Sequence, residues 1–92
     1  MNAKWLCFSD SDYENRIRKL PCFVCDQTPV DCHHMYNARR NAYLSTPLCR
    51  KHHREYHDVG WKEFETRYNV DLDHLIIRLL CEYVEHLKGM NT

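Results

Sequence analysis

The chain has 92 residues, of which 43% are apolar, 28% are charged and only two are glycine. This composition excludes a disordered or collagen-like chain and predicts one compact domain over residues 1–92. No run approaches the roughly 20 apolar residues of a membrane span, and the N-terminus lacks the long apolar core of a signal peptide. We therefore expect a cytoplasmic protein that does not contact membranes, whose six cysteines serve metal ligation and core packing more than disulfides.

Charge is unevenly distributed along the chain although its formal net value is zero. Residues 1–31 carry four Lys/Arg against five Asp/Glu, residues 32–57 carry five against one, and residues 58–92 carry four against seven. The local net charges are −1, +4 and −3. A basic middle segment favours an anionic ligand bound at one face, but net charge alone does not establish that this ligand is a nucleic acid.

The first half of the chain predicts a short helix followed by a small β element. Capping side chains at residues 9–12 and the spacing of Tyr13, Ile17 and Leu20 predict a helix near residues 12–20, which Pro21 ends. The apolar residues 4–8 fit a strand or a further turn of helix. The pattern then predicts a tight turn at 22–29, a strand over 30–36, a polar loop over 37–41 and a second strand over 42–46.

Helices dominate the second half of the prediction. Pro47 leads into a helix that ends near Gly60, and a second helix over 61–68 carries an aromatic stripe that indicates core packing. After a turn with a capping residue at 69–71, apolar residues recur at helical spacing from Leu72 to Leu87, which predicts a long amphipathic helix ending at Gly89. The fold class is α+β. The apolar stripe of this last helix packs within the domain, or part of it forms the contact surface of a homodimer or of a protein partner.

Cysteine and histidine spacing predicts a zinc site. Cys22 and Cys25 form a C-x-x-C pair, and Cys49 and His52 follow after 23 intervening residues with the same spacing. Two such pairs are typical of a closed tetrahedral zinc site, and structural zinc contributes folding free energy on the order of 10 kcal/mol. A redox-active Cys22–Cys25 pair is the alternative, but it lacks the surrounding βαβ pattern.

Four further histidines remain once this zinc site is assigned. His53 and His57 are four residues apart, so a helix places them on one face, whereas His52 lies about 100° away. His33 and His34 are adjacent on the predicted first strand and point to opposite sides unless the strand is bulged or bends there. Three neutral imidazoles around an ion leave coordination positions open, which is typical of a catalytic metal, and a histidine outside the metal shell can accept a proton from water.

At these residues the sequence resembles the HNH (ββα-metal, His-Me finger) endonucleases, and within them the small phage and prophage proteins that include the Ref-like nucleases. The resemblance covers residues 19–64, about half of the chain, with matching order and spacing. It is carried by Leu20-Pro21-Cys22-x-x-Cys25, Asp31-x-His33-His34, Pro47-Leu48-Cys49-x-x-His52-His53-x-x-x-His57 and Gly60-x-x-x-Phe64.

The resemblance implies a ββα-metal core at about residues 20–64 with a helical extension at about 61–88. It also implies that His34 is the general base, that His33 and His53 are ligands of a catalytic divalent ion, and that His57 is a further ligand. That ion would be Mg²⁺, Mn²⁺, Ni²⁺ or Zn²⁺. The central Asn of the family would fall near Leu44 or Ser45, where this sequence has none, so the candidates to replace it are Asn41 and Asn37.

These features predict a metal-dependent endonuclease that nicks or cleaves DNA with little sequence specificity, in a bacterial host cell if a phage encodes it. The basic residues beside the histidines are candidates for phosphate binding, namely Arg39, Arg40, Arg50, Lys51 and Arg54. The competing hypothesis is a non-catalytic, zinc-stabilised module of a phage or prophage that binds DNA or protein, docking through the long C-terminal helix.

Overall fold

The computed structural model describes residues 8–35 and 41–90, and it is an α+β domain with a two-stranded sheet and four helices. In chain order the elements are α1 (Ser11–Arg18), β1 (Asp31–His34), β2 (Ser45–Leu48), α2 (Arg50–Val59), α3 (Trp61–Tyr68) and α4 (Leu72–Met90). The predicted fold class and the predicted order of elements are confirmed at this level. None of the helices in the described ranges is long and apolar enough to cross a membrane.

The two strands are antiparallel, and both differ in extent from the prediction. Asp31 pairs with Leu48 and His34 with Ser45, so β2 covers residues 45–48 and not 42–46, and β1 is shorter than the predicted strand over 30–36. Pro47 lies inside β2, opposite Cys32, and does not open the following helix, which begins at Arg50.

Asn41 is the physical reason for the shifted second strand. Its buried side chain accepts a hydrogen bond from the backbone N–H of Tyr43 at 3.0 Å, and its carbonyl accepts one from the N–H of Leu44 at 3.2 Å. These bonds hold residues 41–44 in a turn, because an Asn side chain competes with the strand ladder for backbone groups. Phe8, the last residue of the ambiguous segment 4–8, forms an isolated parallel bridge with Asn41; residues 4–7 lie outside the described part of the chain.

Helices α2 and α3 end at the predicted stop signals, whereas α4 continues through Gly89, its predicted end, to Met90. Gly60 separates α2 from α3 with a φ of 84°, a conformation that glycine adopts without the steric cost of a side chain. Asn69 ends α3 in the left-handed region, and Asp71 caps α4 by accepting the N–H of His74 at 3.1 Å. The predicted helix over 61–68 and the predicted turn over 69–71 are confirmed.

The core has two parts, and α4 joins them. Its first half places Leu72 and Ile76 against the part that contains Met35, Leu48 and Phe64. Its second half packs Leu79 and Tyr83 against Tyr13 and Ile17 of α1. The predicted stripe is buried only as far as Tyr83, because Val84 and Leu87 are 48% and 41% exposed.

Asp10 connects α1 to two distant parts of the chain. Its carboxylate caps α1 by accepting the N–H of Tyr13 at 2.9 Å, and it also accepts the hydroxyls of Tyr43 at 2.7 Å and Tyr83 at 3.2 Å. Partial burial alone would raise the pKa of Asp10, but these hydrogen bonds outweigh it and lower the pKa. The three contacts join α1 to the turn before β2 and to α4.

We expect Asp10→Ala to lower the free energy of unfolding by about 2 kcal/mol, because it removes a helix cap together with a charged hydrogen-bond acceptor. Urea unfolding followed by far-UV circular dichroism measures this difference. Asp12→Ala is the matched control, because Asp12 is an exposed acidic residue in the first turn of the same helix. Equal destabilisation by both variants would show that α1 responds to general loss of negative charge and not to the Asp10 contacts.

Candidate metal centres

The knuckle at residues 22–27 brings two thiols to the start of α2. The N–H of Asp26 donates to the carbonyl of Cys22 at 2.7 Å, and the N–H of Cys22 donates to the carbonyl of Gln27 at 3.0 Å, while Asp26 has a φ of 61°. Cys49 is the N-cap of α2 and His52 lies in its first turn. The predicted tight turn is confirmed, and together these residues form the Cys3His cluster, which comprises Cys22, Cys25, Cys49 and His52.

Distances within the Cys3His cluster match those of a tetrahedral zinc site. Its four donor atoms all lie within 4.8 Å of one another. The Sγ atoms of Cys25 and Cys49 are 3.8 Å apart, and Nδ1 of His52 is 3.7 Å from Sγ of Cys22 and 3.2 Å from Sγ of Cys49. Tetrahedral zinc sets two sulfur ligands about 3.8 Å apart and a sulfur–nitrogen pair about 3.5 Å apart, given its usual bond lengths. The cluster can therefore hold a metal ion such as zinc.

Electrostatics around the thiols favour a bound cation. Burial raises the pKa of Cys22, but the backbone N–H groups of Cys49, Cys25 and Val24 outweigh it and lower the pKa. The N–H of Gln27 lowers the pKa of Cys25, yet burial and the neighbouring thiols of Cys22 and Cys49 raise it overall. Three crowded thiols cannot all ionise without a positive charge among them, and a metal ion supplies that charge.

The second predicted set also converges, as the three-histidine cluster of His33, His53 and His57. Their ligand nitrogens lie within 4.8 Å of one another, and the Nε2 atoms of His53 and His57 are 3.1 Å apart. The ring centroid of His33 lies 4.5 Å from that of His53 and 5.1 Å from that of His57. Strand β1 and helix α2 thus supply one and two imidazoles to the same point.

His33 provides the observation that tests whether this cluster suits a metal. Its side chain is only 1% exposed, and its Nε2 atom is buried without a hydrogen-bond partner in the described part of the chain. Burial, followed by the neighbouring His53 and His57, lowers the pKa of His33 to about 3. A buried, neutral imidazole whose ring nitrogen lacks a partner has the form in which histidine ligates metals, so the cluster fits a divalent cation.

Asp31 orients the cluster from the same strand. Its Oδ2 atom accepts a hydrogen bond from Nδ1 of His53 at 3.0 Å, which leaves Nε2 of His53 free to face the other two imidazoles. This bond is the main reason that the pKa of Asp31 is lowered. A carboxylate bonded to the far nitrogen of a histidine is the usual outer partner of a metal ligand.

His34 points away from the three-histidine cluster, as the alternation of a strand predicts. Its Nε2 atom is bonded to Oε2 of Glu14 on α1 at 2.8 Å, while His33 faces α2. Because an ionised carboxylate only accepts hydrogen bonds, Nε2 of His34 carries the proton, and the lone pair of the neutral ring is on Nδ1.

Two of the five predicted phosphate-binding residues lie beside the three-histidine cluster. A depression of about 400 Å³ is lined by Asp31, Arg50, His53, Arg54, His57 and Asp58. The guanidinium of Arg50 is 81% exposed and lies 3.7 Å from the carboxylate of Asp31. Lys51 is also exposed on α2 but does not line this depression. Arg39 and Arg40 lie outside the described residues, as does Asn37.

The roles of Asp31 and Glu14 were not predicted from the sequence. Asp31 was detectable, because it stands two residues before His33 and therefore projects from the same face of the strand. Glu14 gave no local signal, because it is 20 residues from His34 and belongs to another element.

Comparisons of the chain with models of protein families, with curated proteins and with solved structures find no match. The function is therefore inferred from the residues of these two clusters and their surroundings.

We expect the purified protein to contain one tightly bound zinc ion per chain and Cys25→Ser to lose it, together with cooperative thermal unfolding. The reason is that structural zinc contributes folding free energy on the order of 10 kcal/mol, comparable to the whole stability of a small domain. Elemental analysis and thermal melts measure both effects. Cys81→Ser, at an exposed cysteine of α4, is the control and should behave as the wild type. A Cys25→Ser protein that melts like the wild type would contradict a stabilising metal in this cluster.

Proposed function

We propose that the chain is a metal-dependent endonuclease of the HNH (ββα-metal) type, which hydrolyses phosphodiester bonds in DNA. One observation carries the proposal: β1 and α2 bring His33, His53 and His57 together, and His34 follows directly in the chain. In this proposal β1, β2 and α2 are the ββα-metal core, the Cys3His cluster holds structural zinc, and the three-histidine cluster holds the catalytic ion.

In this proposal the metal ligand His33 and the general base His34 lie on opposite faces of β1. A divalent cation held by His33, His53 and His57, whether Mg²⁺, Mn²⁺, Ni²⁺ or Zn²⁺, would polarise the scissile phosphate and stabilise charge on the leaving oxygen. His34 removes a proton from the attacking water through Nδ1, since Glu14 occupies Nε2. His33 and His34 project from opposite faces, so a phosphodiester that contacts both sites lies across the edge of β1 that faces away from β2 and not over one face.

Substrate binding in this proposal uses the exposed face of α2. Arg50 and Arg54 flank the histidines in the depression and neutralise DNA phosphates, with Lys51 and the predicted Arg39 and Arg40 nearby in sequence. No described helix presents a row of base-reading side chains, so little sequence specificity is expected. Asn41 takes the place of the family's central Asn, because its hydrogen bonds to residues 43 and 44 brace the turn between the strands.

We expect Asp31→Ala to weaken binding of Mn²⁺ to the three-histidine cluster by about 10–100-fold, because the carboxylate orients His53 and fixes its tautomer. Calorimetric titration of zinc-loaded protein with Mn²⁺ measures the affinity. Asp58→Ala is the matched control, since it removes the same charge from the same depression and Asp58 makes no hydrogen bond to a histidine among the described residues. If both variants weaken Mn²⁺ binding equally, loss of negative charge near the cluster explains the effect, and the hydrogen bond between Asp31 and His53 does not.

We expect purified protein to nick or linearise plasmid DNA with Mg²⁺ or Mn²⁺, and His34→Ala to be slower by about 10²–10⁴-fold, the usual contribution of a general base. Gel electrophoresis of plasmid over time measures the rate. His74→Ala changes an exposed histidine of α4 and should retain full activity. Zinc content and circular dichroism of both variants exclude misfolding as the cause.

Two outcomes would overturn the proposal that the protein is a nuclease. One is absence of cleavage with every divalent ion, and the other is a His34→Ala variant that cleaves as fast as the wild type. A protein with one zinc ion per chain, no second ion in the three-histidine cluster and no cleavage would instead be the non-catalytic binding module, with the exposed Ile77, Val84 and Leu87 of α4 as its docking surface.

A further inference from the structure

A third group of ligand-forming side chains lies on the other face of β1. Cys32 and His34 are two residues apart on the strand and so project to the same side, where α1 presents Glu14. The thiol, the imidazole and the carboxylate place their donor atoms within 4.8 Å of one another. None of the three belongs to the Cys3His cluster or to the three-histidine cluster.

We propose that Glu14, Cys32 and His34 form a separate site for Zn²⁺ or another borderline-soft divalent cation. Thiolate, imidazole and carboxylate are the three ligand types that zinc takes from proteins, and three protein ligands leave its fourth position open to water. The thiol disfavours Mg²⁺, which selects oxygen ligands. The two negative charges of Glu14 and ionised Cys32 balance the charge of the ion, so this partly buried site is neutral when filled.

The pair of His34 and Glu14 needs only a small adjustment to accept the ion. Nε2 of His34 and Oε2 of Glu14 are 2.8 Å apart because they share a proton, whereas two such ligands of tetrahedral zinc are separated by about 3.3 Å. An opening of roughly half an ångström is within rotamer motion of side chains that are 22% and 24% exposed. Tyr13 and Ile17 keep α1 packed on the Cys32 side of the sheet, so the third ligand is held close.

Filling this site would inhibit the enzyme, a consequence that rests on the proposed function. When the ion binds Nε2 of His34, the single proton of the neutral ring moves to Nδ1, and the proton of Cys32 is released to solvent. Nδ1 is the atom proposed to accept a proton from water. The zinc-bound form of His34 therefore has no lone pair for catalysis, and zinc acts as an inhibitor that does not occupy the three-histidine cluster.

Cobalt spectroscopy tests the site without any requirement for activity. Co²⁺ is added to full-length protein whose Cys3His cluster is filled with zinc, and the near-ultraviolet thiolate-to-cobalt absorption is recorded. The three-histidine cluster has no thiol and contributes nothing to this band. We expect the band to saturate in the wild type and in Cys81→Ser, to be lost in Cys32→Ser, and to require more Co²⁺ in Glu14→Gln, which retains the thiol.

Absence of the band in the wild type, or its persistence in Cys32→Ser, would overturn the site. The inhibitory role has its own experiment, in which zinc is titrated into plasmid cleavage at fixed Mn²⁺. We expect wild type and Cys81→Ser to lose activity and Cys32→Ser to resist the same zinc concentrations. Equal inhibition of Cys32→Ser would overturn the inhibitory role. If no protein cleaves DNA at all, the proposed function fails, and the cobalt measurement still decides whether the site exists.

Discussion

The convergence of the knuckle and the start of α2 on one point is the constraint on which the rest of the domain depends. Cys22 and Cys25 come from a turn, whereas Cys49 and His52 come from the N-cap and first turn of a helix. The N–H of Phe23 also donates to the carbonyl of Pro47 at 3.2 Å, which ties the knuckle to β2. An ion at this point would fix both where α2 begins and how it is rotated about its axis.

That rotation determines which histidines meet. With His52 directed at the Cys3His cluster, a step of about 100° directs His53 elsewhere, and His57 follows it one turn later on the same side. Strand β1 meets that side with His33, whose ring also contacts Tyr56 of α2 at a centroid distance of 4.3 Å. The three-histidine cluster is therefore coupled to the Cys3His cluster through a rigid helix. A change in the start of α2 would displace two of its three ligands together.

Residue spacing in the sequence predicted those features that the geometry of a single turn or helix determines. The proximity of the four Cys3His residues, the pairing of His53 with His57 and the ends of α2 and α3 follow from turn and helix periodicities, and the structure agrees with each. The strand boundaries were wrong, because the side chain of Asn41 holds residues 41–44 in a turn that β propensity does not register. Val84 and Leu87 continue the helical stripe of α4 yet remain exposed, because neither belongs to the cluster that Tyr13 and Ile17 of α1 form with Leu79 and Tyr83.

Contacts between distant parts of the chain were beyond prediction for a different reason. Asp10 meets Tyr43 and Tyr83 across separations of 33 and 73 residues, and Glu14 meets His34 across 20. No periodicity relates such residues, because their proximity depends on how α1 packs against the sheet and α4. These contacts nonetheless bear on function, since α1 supplies the only carboxylate that touches His34 in the described part of the chain.

Strand β1 contributes residues to both proposed sites, the catalytic site and the additional zinc site. Its alternation gives Asp31 and His33 to one face and Cys32 and His34 to the other. Three of these four residues belong to two donor sets that share no ligand, and Asp31 orients His53 of one set. Separate ligands allow both sites to be filled at once, and zinc on the α1 face need not displace the ion on the α2 face. The two proposed sites would nevertheless interact through function, because His34 would be a ligand in one and the general base for the other. A single imidazole cannot do both at the same time, so under the two proposals the balance between Glu14-bound and zinc-bound His34 would set the fraction of active protein.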